Sequence, residues 1–90
     1  MRFEWDPSKA AGNLARHGVS FEEAATVFRD VLSATGAGPD HSFGEDRFVT
    51  FGVSTAGRLV AIAHTDREDT IRLIGARPAT PSERAIYEEG

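Results

Sequence analysis

The sequence contains no cysteine and very little tryptophan or tyrosine. Among its 90 residues there is no Cys, one Trp and one Tyr. The absence of cysteine excludes a disulfide framework, a thiolate nucleophile and every zinc site that uses a cysteine ligand. No apolar run is longer than a few residues, so the sequence indicates neither a membrane span nor a secretory signal. We therefore expect a cytoplasmic protein that does not associate with membranes.

Basic residues are few, and almost all of them are arginine. Lys and Arg number 10 against 14 Asp and Glu, which gives a net charge of -4. An acidic total counts against a dedicated nucleic-acid binder, because binding to phosphates depends on clustered cations. However, Lys9 is the only lysine, and six arginines lie between Arg47 and Arg84. Because a planar guanidinium suits bidentate recognition of phosphate, a local basic patch remains an open alternative.

The length and composition indicate one small domain. Hydrophobic residues make up 40% and charged residues 27% of the chain, which is ordinary for a globular protein. A chain of 90 residues is too short for two independent hydrophobic cores. We expect a single domain over residues 1–90, and its small core makes stabilisation by a partner subunit plausible.

Hydrophobic patterning and capping signals predict an α+β fold with the order β, α, α, β, β, β, β, α. The predicted strands are 2–5, 31–35, 47–54, 58–65 and 70–77, and the predicted helices are 7–17, one beginning after Ser20, and 80–87. Gly18 should end the first helix in a left-handed conformation. A capping box, with Glu three residues after Ser or Thr, begins each later helix. The last strands should form an antiparallel meander with the helices on one face.

Three strand residues are candidates for binding and cleaving a phosphodiester: His64, Arg72 and Arg77. Alternation of side chains places the two arginines on opposite faces, unless a bulge near Gly75 changes the parity. If the strand ends converge, His64 would transfer a proton near neutral pH and an arginine would stabilise charge on the phosphate. The structural alternatives are a hydrogen-bonded histidine, and ion pairs of Arg72 with an acidic turn and of Arg77 with Glu83.

Other polar groups give weaker signals. Lys9 and Arg16 lie nearly on one face of the first helix, where a solvated surface is the simpler interpretation. His17 at the helix end is expected to be a cation favoured by the helix dipole. The segment 40–45 contains Asp, His and Glu side chains without the spacing of a metal motif, so we expect no metal and no cofactor. Nucleotide-binding loops and serine nucleophile motifs are also missing.

Several short strings occur in an order that is typical of one protein family. The most specific are the block 17–24, which reads His-Gly-Val-Ser-Phe-Glu-Glu-Ala, and the late strand with Ile71-Arg72 and Ala76-Arg77. The others are Phe3-Glu-Trp-Asp6, Lys9, Asn13, Val27-Phe28, Arg47-Phe48, Gly57-Arg58-Leu59, His64-Thr65, Ala79-Thr80, Glu83-Arg84 and Tyr87. Together they span nearly the whole chain. The sequence resembles the BrnT family of type II toxin–antitoxin toxins.

This resemblance implies a RelE-like fold, in which two N-terminal helices and a C-terminal helix pack on a small antiparallel-rich sheet. It also implies a toxin that cleaves RNA without a metal and thereby inhibits translation. Its expected partner is a BrnA-like antitoxin with a ribbon-helix-helix domain, through which alone it would reach operator DNA. Arg72 and Arg77 match the late-strand arginines of the family, and His64 matches the histidine of its His-Thr pair. Four further residues match pattern positions and are expected to bind substrate: Lys9, Arg47, Glu83 and Tyr87.

The leading hypothesis is an endoribonuclease in which the 2′-hydroxyl of the RNA attacks the adjacent phosphate. In this hypothesis His64 handles a proton, and Arg72 and Arg77 hold the phosphate and its developing charge. The sequence departs from the family at Pro78 and Pro81, where arginine is common, and in its net charge of -4. These departures favour an alternative function as an antitoxin-bound corepressor with little nuclease activity. A plain interaction domain is a third and weaker hypothesis.

Overall fold

The computed structural model describes residues 1–38 and 47–90. The strands are β1 (Arg2–Glu4), β2 (Ala34–Ala37), β3 (Arg47–Val53), β4 (Leu59–Arg67) and β5 (Thr70–Pro78), and the helices are α1 (Pro7–His17), α2 (Phe21–Thr26) and α3 (Pro81–Glu89), with a 3-10 turn at Val27–Arg29. This order of elements confirms the predicted one. No helix in these two segments is long and apolar enough to cross a membrane.

A five-stranded sheet with the order β1-β5-β4-β3-β2 forms the centre of the fold. The strands β2 to β5 are antiparallel neighbours, which confirms the predicted meander. The strand β1 pairs with β5 in parallel, from Arg2 opposite Thr70 to Glu4 opposite Arg72. This last pairing joins the two ends of the chain and was not predictable from a three-residue strand.

The strand β5 contains one extra residue where it pairs with β4. Gly75 lies opposite Ala63, and Leu73 lies opposite His64, so Ile74 has no partner in the register. An extra residue of this kind is a β-bulge, and it reverses the alternation of side chains beyond it. The parity change that the sequence left open near Gly75 is therefore present.

The two faces of the sheet differ in what they carry. The core face, defined by Val60 and Ile62, packs against α2 and the 3-10 turn. The opposite face is named here the arginine face, and it carries Arg47, Arg72 and Arg77 with small residues between them. Residues directly opposite each other on neighbouring antiparallel strands share a face, so the register assigns each side chain.

The hydrophobic core lies between the core face and α2. Val19, Phe21, Ala24 and Val27 are completely buried there, and the ring of Trp5 meets that of Phe21 edge-on with centroids 5.9 Å apart. Full burial of each larger apolar side chain contributes about 1.5–3 kcal/mol. This packing fixes α2 firmly on one side and leaves the arginine face free for other roles.

The helices do not all pack on the core face, which corrects the expectation from the sequence. The helix α1 lies along the edge of β5, because Asn13 accepts a 3.0 Å hydrogen bond from the Ala76 N–H and donates one of 2.8 Å to its carbonyl. The helix α3 lies over one end of the arginine face, where its Glu83 pairs with Arg77. The N–H and carbonyl of Ala76 need hydrogen-bond partners once they are buried, and Asn13 of α1 supplies both, which explains the position of this helix.

The loop before β2 also differs from the prediction. A strand was expected at 31–35, but β2 begins at Ala34, and Val31 and Leu32 are exposed in a turn. The carboxylate of Asp30 accepts hydrogen bonds from the N–H groups of Leu32 and Val53, both at 2.9 Å. An Asp side chain that bonds the backbone two residues later favours a turn over a strand.

Candidate functional site

The bulge in β5 places Arg72 and Arg77 on the same face of the sheet. Arg72 lies opposite Thr65, and Arg77 lies opposite Ala61, and both of these β4 residues belong to the arginine face. Without the extra residue, the odd spacing of the two arginines would point them in opposite directions. The structure therefore places two of the three predicted catalytic residues on one face of the sheet.

Arg47 joins this face from β3. It lies opposite Thr65, so Arg47 and Arg72 flank the same β4 residue from two sides. Arg67 lines the groove at this end together with Thr65 and Arg72. The carboxylate of Glu4 lies 3.7 Å from the Arg72 guanidinium, and both side chains are about half exposed. An exposed pair of this kind is weak, and this end of the face carries the cationic side chains of Arg47 and Arg72.

A cavity of about 220 Å³ opens on the same face beside Arg77. Its lining is Asn13, His17, Val49, Ala61, Ala63, Gly75, Ala76 and Arg77. The middle of the face is therefore made of alanine, glycine and valine, with charged groups at its borders. Thr65 and Ala61 are four residues apart on β4, which separates Arg72 from Arg77 by about 13 Å. The result is a shallow strip with cations at both ends.

Arg77 is held in place by α3. Its two terminal nitrogens donate to the two carboxylate oxygens of Glu83 at 2.7 and 2.8 Å. The hydrogen bonds from Arg77 lower the pKa of Glu83 to about 2, and the Glu83 contact raises the pKa of Arg77. Glu83 also accepts from the N–H of Thr80 at 2.8 Å, which completes the capping box predicted for α3. The guanidinium is thus charged, pre-oriented and still 41% exposed.

His64 lies on the opposite side of the sheet from these arginines. Its side chain is on the core face and 1% exposed, between the rings of Phe28 at 5.0 Å and Phe48 at 5.9 Å. The sheet itself therefore separates the imidazole from Arg72 and Arg77. The convergence of all three residues, which the sequence left conditional, is not found.

Both nitrogens of His64 are engaged within the protein. Nε2 lies 2.7 Å from Oγ1 of Thr50, and Nδ1 lies 2.6 Å from Oδ1 of Asp66. Thr50 continues the chain to the hydroxyl of Thr35 at 2.7 Å. This network connects β2, β3 and β4, and satisfied buried networks stabilise one arrangement of strands. Its geometry is that of a structural histidine.

The remaining predicted residues lie at the borders of the site or outside it. Lys9 is exposed on α1, one turn before Asn13, and does not line the cavity. The hydroxyl of Tyr87 donates to Oδ2 of Asp30 at 2.5 Å. This hydrogen bond lowers the pKa of Asp30 and raises the pKa of Tyr87. Tyr87 therefore fastens α3 to the loop before β2.

His17 lines the cavity, although from the sequence we expected it only to be a cation at the end of the first helix. It lies four residues after Asn13 on α1, and residues at this spacing share a helix face. Because Asn13 is bonded to Ala76, this face of α1 is held against β5 directly beside Arg77. A buried asparagine one turn before a histidine was the available signal, but its partner on β5 was not visible in the sequence.

The weak metal-ligand candidates in the segment 40–45 lie outside the described residues. Within residues 1–38 and 47–90, no three His, Asp or Glu side chains are grouped as a metal site would require.

Comparison with known proteins connects this geometry to a family. The model of the family described as "Ribonuclease toxin, BrnT, of type II toxin-antitoxin system" matches residues 5–83. The chain belongs to the BrnT family. Membership makes it a ribonuclease toxin of a type II toxin–antitoxin system, and such a system implies an antitoxin partner for this BrnT protein.

A solved structure of the family agrees with the fold. The crystal structure of the Brucella abortus ribonuclease toxin BrnT superposes with a TM-score of 0.65 and 20% sequence identity. The match covers 89% of this chain and 97% of the Brucella chain. No curated protein matches the sequence. At this identity the likeness concerns the fold, and it supports the mixed arrangement of a five-stranded sheet with three helices.

Proposed function

We propose that this BrnT protein is a metal-independent endoribonuclease that uses its arginine face to bind RNA. The 2′-hydroxyl of the substrate attacks the adjacent phosphorus, so the nucleophile is supplied by the RNA and no metal-activated water is needed. Cleavage of cellular RNA then inhibits translation. The observation that carries this proposal is the alignment of Arg72 and Arg77 on one face beside a cavity.

Arg77 is the residue that we assign to the scissile phosphate. It borders the cavity, and Glu83 fixes the direction of its guanidinium. A pre-oriented cation stabilises negative charge that develops on the phosphate without reorganising during the reaction. Glu83 acts in this proposal as a positioning residue and does not contact the RNA.

Arg47 and Arg72 are assigned to flanking phosphates. They lie about 13 Å from Arg77 along the strip, so a strand of RNA that crosses the face can touch both ends. The small residues at Ala63 and Gly75 let the sugar-phosphate backbone approach the sheet closely. Lys9 extends this track along α1, whereas Tyr87 contributes by holding α3 over the end of the face.

The net charge of -4 does not prevent this binding. The cations of the arginine face act locally, because charges beyond about 8–10 Å are screened at physiological salt. Release of counterions from the RNA would make binding weaken steeply as salt is raised. The same cationic face is the surface that an acidic segment of a BrnA-like antitoxin would cover. The antitoxin's ribbon-helix-helix domain would then carry the complex to operator DNA in the cytoplasm.

His64 has a structural role in this proposal. Its burial at 1% exposure and its bonds to Thr50 and Asp66 leave it no path to RNA on the arginine face. We therefore assign it to the stability of the sheet.

Controlled expression tests the proposal directly. Wild-type protein should arrest growth and fragment cellular RNA, and co-expression of the antitoxin should restore growth. The double variant Arg72→Ala/Arg77→Ala should neither arrest growth nor fragment RNA, and its circular dichroism spectrum should remain that of a folded protein. Purified wild-type protein should cut RNA equally well with excess EDTA. Loss of cleavage in EDTA would contradict metal independence, and full toxicity of the double variant would contradict the arginine assignment.

The corepressor alternative is favoured by one feature of the site. The carboxylate of Glu83 already occupies the guanidinium of Arg77 on two atoms, as a phosphate would. If this pairing blocks RNA, the protein acts mainly by tightening the operator complex of its antitoxin. Operator binding by the antitoxin, measured with and without wild-type protein, together with an absence of RNA cleavage, would support this second function.

A further inference from the structure

We infer that His17 is the general acid of RNA cleavage in this protein, and this inference rests on the proposed function. Of the three histidines in the chain, His64 faces the core and His41 lies outside the described residues. His17 lines the cavity beside Arg77. It is therefore the histidine that the described structure places on the same face as the phosphate-binding arginines.

The position of His17 is set by a specific contact one helical turn earlier. Asn13 is 4% exposed and bonds both the N–H and the carbonyl of Ala76, with a further 3.0 Å bond to the carbonyl of Val19. The two bonds to Ala76 fix α1 relative to β5, and the bond to Val19 holds the chain that follows α1. Because His17 follows Asn13 by four residues and Arg77 follows Ala76 by one, these bonds hold the two residues at the border of one cavity.

The side chain of His17 is available for chemistry. It is exposed and makes no hydrogen bond or ion pair with any described residue. This contrasts with His64, whose two nitrogens are both occupied. His17 is also the last residue of α1. An imidazolium beside the phosphate can both attract it and supply a proton.

The 2′-oxygen forms a bond to phosphorus, and the bond from phosphorus to the 5′-oxygen breaks. The proton of the 2′-hydroxyl passes to solvent, and His17 donates its proton to the departing 5′-oxygen. The products are a 2′,3′-cyclic phosphate and a 5′-hydroxyl, and His17 regains its proton from water. No oxidant, reductant or metal takes part in this balance.

A substrate with a better leaving group provides the test. A mixed-sequence RNA is first cut by wild-type protein to locate a cleavage site, and the same RNA is then made with sulfur in place of the 5′-oxygen at that site. A thiolate leaves without a proton, so it does not require a general acid. His17→Ala should slow cleavage of the oxygen substrate by roughly 10²–10⁴-fold, the usual contribution of such a group. It should cut the sulfur substrate nearly as fast as wild type.

Leu14→Ala is the matched control, since Leu14 is exposed on the same helix, carries no charge and does not line the cavity. It should cut both substrates at the wild-type rate. An unchanged rate for His17→Ala on the oxygen substrate would overturn the inference, and so would equal slowing on both substrates. A wild-type protein that cuts neither substrate would overturn the proposed ribonuclease function itself, and the inference with it.

Discussion

The two faces of the sheet use the same kinds of residue for different purposes. On the core face, His64 is buried and both of its nitrogens are bonded to the protein. On the arginine face, His17 is exposed beside a cavity and its nitrogens are not bonded to any described residue. The bonded imidazole of His64 connects neighbouring strands, whereas the side chain of His17 is the one that we propose for proton transfer. The residue type is the same in both cases, and the difference lies in the face of the sheet on which each histidine is found.

Two bidentate Arg–Glu pairs show the same contrast. Arg58 bonds both carboxylate oxygens of Glu23 and the carbonyl of Gly18, which ties the β3–β4 hairpin to the start of α2. Arg77 bonds both oxygens of Glu83, but its guanidinium borders the cavity. The first pair joins two elements, whereas the second aims a cation at the site.

The largest expected effect comes from removing the arginine at the cavity. Arg77→Ala should lower the rate of RNA cleavage by roughly 10²–10³-fold, because one pre-oriented charge-stabilising group is lost. Arg58→Ala is the matched variant on the other side of the sheet, and it should lower the melting temperature while leaving the cleavage rate unchanged. Cleavage of a labelled RNA and thermal unfolding of both variants measure this. Equal losses of activity in the two variants would remove the distinction between the pairs.

A comparable effect on stability is expected from the buried histidine. His64→Ala removes two hydrogen bonds and leaves the buried hydroxyl of Thr50 with Thr35 as its remaining partner. The free energy of unfolding should fall by about 2–4 kcal/mol, as measured by denaturant titration. The cleavage rate per folded molecule should stay unchanged at a temperature where the variant is folded. A stable but inactive His64→Ala protein would show instead that this histidine reaches the substrate.

A smaller effect is expected from filling the strip without changing any charge. A Cβ on Gly75 would lie 3.7 Å from the side chain of Asn13, which is ordinary contact, so the backbone accepts a side chain there. Gly75→Val, with its fold checked by circular dichroism, should obstruct the approach of RNA, with about a tenfold loss of cleavage, or about 1.4 kcal/mol. Ala56→Val, in the exposed turn between β3 and β4, is the control. Undiminished cleavage by Gly75→Val would place the RNA elsewhere.

The smallest expected effect is the pH dependence of the Arg77–Glu83 pair. The pKa of Glu83 is lowered from 4.5 to about 2 in the folded protein, so the charged carboxylate stabilises the fold above pH 4.5. This stabilisation is lost as the pH falls from 4.5 towards 2. Because Arg77 is partly exposed, we expect only about 1 kcal/mol. The difference in unfolding free energy between wild type and Glu83→Gln should be smaller at pH 3 than at pH 7. A constant difference would show that the pair contributes no charge-dependent stability.

Local signals in the sequence predicted most of the secondary structure. Asp6 accepts from the N–H of Ser8 at 2.8 Å, and Gly18 ends α1 with a φ of 70°, as the capping pattern indicated. The capping box of α2 is the informative partial failure. The hydroxyl of Ser20 accepts from the N–H of Glu23, but the Glu23 carboxylate bonds Arg58 and Ser54 instead of returning to the helix. A distant arginine competed successfully for a carboxylate that local rules assigned to the cap.

The candidate site was predictable only in part. Arg72 and Arg77 could be selected because charged residues are unusual in a strand, but their common face depends on the unpaired Ile74. The burial of His64 could not be predicted, since the exposure of a strand residue depends on which helix covers that face of the sheet. The position of His17 beside the cavity depends on the contact between Asn13 and Ala76, which are 63 residues apart.

By itself the sequence determined the order of the elements, the ends of α1, the antiparallel meander and the family. These features follow from periodicity, capping and turn residues, whose physical causes act within a few neighbouring residues. Only the tertiary structure decided which histidine faces the arginines, where the helices lie on the sheet and that one bulge aligns Arg72 with Arg77. Those outcomes depend on contacts between distant segments, and a single extra residue in a strand is enough to reverse which face a side chain occupies.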